Sequence, residues 1–128
     1  MGRGVRQDYK EAFKWFSLAA EQGERMAQYS VALCYDDGDG VRENHQMAAK
    51  WYRLSAEQGW TDSQNNLAIM CANGEGIPRN PVMAYFWFHQ ASAGGHARAG
   101  ILRDKVAQRM TNAQFNEALS LIRDWKPK

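Results

Sequence analysis

Gly2, Gly4, Val5, Ala12, Trp15 and Gly23 recur 36 residues later as Gly38, Gly40, Val41, Ala48, Trp51 and Gly59, and 36 residues after that as Gly74, Gly76, Ile77, Ala84, Trp87 and Gly95. Residues 2–37 and 38–73 share 14 identities in 36 positions, among them the run Ala20-Glu21-Gln22-Gly23 against Ala56-Glu57-Gln58-Gly59. A fixed period of this length marks one supersecondary unit stacked on copies of itself, because each unit buries an apolar face that it cannot bury alone. Proteins built this way usually present a surface to a partner.

The unit is readable from its punctuation. Asp8, Asn44 and Asn80 share one repeat position, and each carries a short oxygen-bearing side chain suited to an N-cap. Glu11 three residues after Asp8 suits a capping box, and Pro81 after Asn80 suits a first helical position. Helices are therefore expected to start at all three. Apolar residues follow at helical spacing (Ala12, Trp15, Phe16, Ala19 and Ala20 in the first copy), and Gly23, Gly59 and Gly95 stand where left-handed helix ends belong. A second periodic stretch runs from Met26 to Tyr35 and from Asp62 to Cys71, each closing on a Gly-x-Gly pair. The unit is a helix hairpin. Alanines 12, 20, 32, 48, 56 and 68 mark close helix approaches, and the recurrent aromatics Trp15, Trp51, Trp87, Tyr52, Phe16 and Phe88 are expected in the core.

This pattern resembles the Sel1-like repeat, a relative of the tetratricopeptide repeat. Residues 27 to 59 carry almost the whole unit (Ala27, Val31, Ala32, Tyr35, Gly38, Gly40, Val41, Asn44, Ala48, Trp51, Tyr52, Ala56, Glu57, Gly59), and residues 63 to 95 carry a looser copy. The departures are Ala32 and Ala68 for the family glycine, Cys71 for the aromatic, and Ala93-Gly94-Gly95 for Glu-Gln-Gly. The resemblance implies an all-α fold, a right-handed α-solenoid of antiparallel helix hairpins with about seven helices. One domain over residues 1–128 is expected, with a half repeat at 2–23, full repeats at 24–59 and 60–95, and capping helices at 96–128.

The two ends read differently. Leu102, Val106 and Met110 give one helical stripe; Thr111 with Gln114 gives a capping box; Phe115, Ala118, Leu119, Ile122 and Trp125 give another stripe. This suits a terminal cap. The first residues read as the middle of a Gly-x-Gly-Val loop, so the helix that would precede residues 8 to 22 in its hairpin is not in the sequence. Phe13, Phe16 and Ala20 would then form an apolar edge, open to a homodimer or to further repeats.

Composition bounds the partners. Sixteen basic and 14 acidic residues are intermixed, giving a formal charge of +2 without a basic stripe, which argues against nucleic acid. No apolar run approaches the roughly 20 residues of a membrane span, and the first 20 residues lack a signal-peptide core, so a soluble chain of open compartment is expected. Cys34 and Cys71 fall one register apart in adjacent copies and make a poor disulfide pair.

Nothing in the sequence assembles a catalytic constellation, a cofactor loop or a metal site. Asp36-Asp37-Gly38-Asp39-Gly40 with Glu43 resembles a calcium loop only in composition, because the spacing is wrong and the next copy reads Ala72-Asn73-Gly74-Glu75-Gly76. His45, His89 and His96 lack a two-ligand helical spacing; His45 is expected in a solvent-facing slot after a cap. Trp60 breaks the repeat and reads as a staple on a turn or an exposed contact.

The resemblance implies a non-enzymatic adaptor or scaffold binding a protein or peptide in a concave groove lined by the first helix of each hairpin. Those helices are residues 24–37, 60–73 and, more loosely, 96–109. Their variable positions give Met26, Tyr29, Leu33, Asp36 and Asp37; then Asp62, Asn65, Ile69 and Asn73; then Arg98, Ile101, Lys105 and Arg109. The rows grade from acidic through amide to basic, as would suit a peptide of complementary polarity. The alternatives are a self-associating piece of a longer array and, on the example of cysteine-rich family members, a cell-wall-ligand-binding or hydrolysing enzyme.

Overall fold

A computed structural model describes the backbone of residues 2–128 and the side chains from residue 8 onward. Seven helices follow one another among these residues: α1 (Gly2–Glu21), α2 (Arg25–Asp37), α3 (His45–Glu57), α4 (Thr61–Asn73), α5 (Pro81–Ala93), α6 (Ala99–Ala107) and α7 (Asn112–Asp124). Each helix from α1 to α5 packs on its successor, and α7 folds back onto α5. The chain is an all-α solenoid of helix hairpins.

Local chemistry sets most boundaries. Asn44 and Asn80 accept from the backbone N–H groups of Met47 and Met83 at 3.0 and 3.1 Å, opening α3 and α5. Glu24 opens α2 by accepting from both Met26 and Ala27 N–H at 2.9 Å. Thr111 and Gln114 form the reciprocal capping box of α7. α2 and α4 end on Gly38 and Gly74, whose φ values of 73° and 70° let their N–H groups close onto the carbonyls of Cys34 and Met70.

The second glycine of each pair has another duty. A Cβ on Gly40 would collide with the Tyr9 carbonyl, and one on Gly76 would lie 2.5 Å from the His45 carbonyl. Each loop thus lies directly on the backbone of the hairpin before it, a contact only glycine allows.

The first copy of this motif departs from expectation. Asp8 does not cap a helix: α1 runs unbroken from Gly2, through the Gly-x-Gly-Val segment. Gly2 and Gly4 therefore stand within a helix, where their counterparts Gly38 and Gly40 form a loop seated on the backbone of Tyr9. One part of the expected aromatic core also departs from expectation. Trp87 is buried against Phe86 and Trp125, and Trp51 packs on the Ala20–Ala27–Val31 cluster of α1 and α2. Trp15 is 63% exposed and Phe16 is exposed too.

The core runs along the repeat axis. Ala32, Ala48, Ala56, Ala68, Ala84 and Ala91 have no exposed surface, which lets the helices approach closely around Tyr52 and Phe88. Buried polar groups tie the layers together: Gln28 and Gln64 donate to the carbonyls of Ala20 and Ala56, and Ser63 donates to Ser55, which donates to Arg25 O. Cys34 and Cys71 are free and buried, and burial pushes the Cys71 thiol up to about 11. At the far end, Phe115, Ala118 and Ile122 pack on Val82 and Tyr85. Leu119 was expected in that stripe and is 43% exposed, since one residue past Ala118 turns it about 100° away from α5.

Candidate interaction groove

α2, α4 and α6 are the first helices of successive hairpins and carry the variable positions. Met26 is exposed near the start of α2. Next comes Tyr29, half-buried, its ring 6.1 Å from Tyr52 and 6.3 Å from Trp60. Burial, followed by the Asp62 carboxylate at the start of α4, raises the Tyr29 hydroxyl above its usual range. Leu33 and Ile69 are half-buried on the common core, whereas Asp37, Asp62, Asn73, Arg98, Ile101, Lys105 and Arg109 are exposed.

Trp60 occupies the N-cap position of α4 without capping it. The Arg25 guanidinium lies 5.8 Å above its ring, and its Nε1 is enclosed without an acceptor. It is a half-buried staple on the turn. Asn65 is 6% exposed and its Oδ1 likewise has no donor. Nothing about its repeat position announces this, since Tyr29 and Ile101 fill the same slot in the neighbouring copies.

Five of the expected groove residues meet in one cavity of about 540 Å³ between α4 and α6: Asn65, Ile69, Asn73, Arg98 and Lys105. Ala72, Phe88, His96, Leu102 and Val106 complete its walls. A smaller hollow of about 400 Å³ continues toward Arg79 and Arg109, sharing Asn73 and Lys105. Met26, Tyr29, Leu33, Asp62 and Ile101 line neither hollow.

Asp36 is directed elsewhere. Its Oδ1 lies 2.8 Å from His45 Nδ1, and its Oδ2 accepts from the buried Tyr52 hydroxyl at 3.1 Å. His45 was expected in a solvent-facing slot; it is half-buried and ringed by carboxylates, with Glu43 at 3.4 Å and Glu75 at 3.5 Å. The bond to Asp36, together with Glu75 and Glu43, raises its pKa above the usual histidine value. Asp36, His45 and Glu75 offer ligand atoms within 4.8 Å of one another, a donor set that a divalent cation could use. Glu75 comes from the loop that lies on α3, so the cluster bridges two repeats. Asp37 keeps its carboxylate exposed, and partial burial with Asp39, Asp36 and Glu43 nearby raises its pKa.

A larger concavity of about 770 Å³ lies on the side of the second helices, between α3 and α5. Leu67, Ile77, Met83 and Trp87 form its apolar walls, with Lys50, Arg53 and Glu57 also lining it. Sequence periodicity missed this feature because its walls come from residues nearly 40 positions apart. Beside it, the C-terminal segment crosses to α3, where the Lys128 N–H donates to Glu57 O at 2.7 Å. No helix among the described residues is long and apolar enough to cross a membrane.

Comparison with known proteins agrees with this architecture. The Sel1 repeat model matches residues 1–24, 25–60 and 61–96. Among solved structures, the chain resembles a protective antigen present in uropathogenic Escherichia coli strains and displaying an SLR fold, with 34% identity and a TM-score of 0.83, over 88% of this chain and 24% of that one. It also resembles a Sel1 repeat protein from Oxalobacter formigenes, with 34% identity and a TM-score of 0.69, over 70% of this chain and 37% of that one. The chain thus spans about a quarter and just over a third of the lengths of these two proteins. No curated protein matches it.

Proposed function

Because the chain belongs to the Sel1 repeat family, whose solenoids are generally protein-interaction scaffolds, we propose that it is a non-enzymatic module binding a protein or peptide along the face of α2, α4 and α6. The observation that carries this reading is the α4–α6 cavity, where five variable positions converge on one hollow of ligand-binding size. Scaffold positions repeat with the period; these five do not, so their chemistry is free to serve a ligand.

The test is affinity capture from the source lysate with the parent chain and a Met26→Glu, Ile101→Glu, Lys105→Glu variant. All three side chains are exposed, so the variant should fold equally well by circular dichroism. Loss of a partner that the parent retains supports the groove. Equal capture by both chains sinks it.

A second reading concerns α1. Trp15 at 63% exposure, with Leu18 at 47%, gives its outer face the character of a stacking surface for a second copy or another repeat. A monomeric mass by light scattering at high concentration would rule out the second copy.

A further inference from the structure

Resting on the groove reading above, we propose that the cavity between α4 and α6 takes a short acidic peptide segment carrying one bulky apolar side chain. Ile69, Leu102, Val106 and Phe88 give the hollow an apolar wall with room for an aliphatic or aromatic group. Arg98 and Lys105 also line it, both exposed, and no carboxylate does. Neither has an ion-pair partner among the described residues, and the adjoining hollow adds Arg79 and Arg109, equally unpaired. The local charge is therefore uncompensated and positive, although the whole chain carries only +2. Flanking glutamates or aspartates on a ligand would neutralise it.

Asn65 supplies an independent pointer. It lines the cavity, is more than nine-tenths buried, and its Oδ1 has no donor. Buried amides are normally satisfied, so an unmet one in a residue that lines a cavity stands out. A side-chain amide carries both an oxygen that accepts and an NH2 that donates, so Asn65 can answer either group of a ligand main chain. The apolar side chain sets depth, the carboxylates set sign, and Asn65 reads the main chain. At the other end of the face Asp37 and Asp62 reverse the sign, so an acidic segment belongs at α6 rather than at α2.

The experiment is fluorescence anisotropy with a labelled Glu-Glu-Leu-Glu-Glu peptide, with Lys-Lys-Leu-Lys-Lys and Glu-Glu-Ser-Glu-Glu as controls, backed by selection of random ten-residue peptides on the whole chain. The acidic leucine peptide should bind at least about tenfold more tightly than either control and weaken at least about tenfold with Lys105→Glu or Arg98→Glu. Asn65→Leu should lose binding while its melting temperature holds or rises, because the unmet group is removed; a merely structural asparagine would lower the melting temperature instead. Equal binding of the lysine or serine peptide, no measurable binding, or indifference to both charge reversals overturns the proposal. Selected peptides that lack the acidic–apolar signature yet weaken with Tyr29→Ala would overturn it and leave the groove reading standing. Selection of no peptide at all would sink both.

Discussion

His45 Nδ1 lies 2.8 Å from Asp36 Oδ1, joining the start of α3 to the end of α2, while Glu75 approaches the same nitrogen from the loop of the next repeat at 3.5 Å. Protonated His45 is therefore a bridge between repeats. Its folded pKa is raised above 6.5, so its stabilisation is fully present below about pH 6.5 and is lost as pH rises through the raised value. Urea midpoints measured at pH 6 and pH 9 should fall for the parent and change much less for His45→Gln. Equal pH dependence in both chains would remove His45 from that role.

The Gly-x-Gly loops predict an asymmetry between glycines of similar φ. Gly95, at φ 98°, has open space where a Cβ would go, so Gly95→Ala should cost about 1 kcal/mol from backbone strain alone. Gly76, at φ 76°, faces the His45 carbonyl, so Gly76→Ala adds a backbone collision to the strain and should cost about 3 kcal/mol. Chemical denaturation of the two variants checks the order; equal losses would mean that the loop lifts off α3 without penalty.

Ser63 Oγ donates to Ser55 Oγ at 2.7 Å, and Ser55 donates to Arg25 O at 2.8 Å, with both serines fully buried. Ser55→Ala strands the Ser63 hydroxyl and the Arg25 carbonyl together, so a loss of about 2 kcal/mol is expected. The double change Ser55→Ala, Ser63→Ala should cost less than the sum of the single changes, as a double-mutant cycle would register.

Trp125 stands edge-on to both Phe86 and Trp87, at 5.7 and 5.6 Å between ring centroids, just beyond the end of α7. Trp125→Ala should destabilise the chain by about 2 kcal/mol, less than for a fully buried tryptophan because the ring is half-exposed. Thermal melting with near-ultraviolet circular dichroism checks it, since the coupled indole signal of Trp87 should fade as well.

What the sequence disclosed followed from how local each interaction is. The caps at Asn44, Asn80 and Thr111 bond within three residues, so their chemistry could be read directly from the chain. Asp8 carries the same credentials and does not cap, since α1 runs through it unbroken. Trp15 has the periodicity of Trp87 without its burial, because what packs over a helix face is not a local property of the chain. Ile69, Arg98 and Lys105 were picked by helical spacing on the helices that the resemblance implied, and they line one cavity, whereas the enclosure of Asn65 depends on how α4 and α6 converge. Asp36 was placed on the correct helix, but its partners Tyr52 and His45 come from the next one, beyond the reach of a periodicity argument.

Gly40 rests on the carbonyl of Tyr9 and Gly76 on that of His45, residues of different type. The joint between units is thus keyed to main chain, and is blind to the side chains that the units display. Adding or removing a whole unit would preserve every such joint, while a single extra residue in a loop would break one. Lineages can then lengthen the array in fixed steps and rewrite its face freely, with the glycine seats holding the pitch.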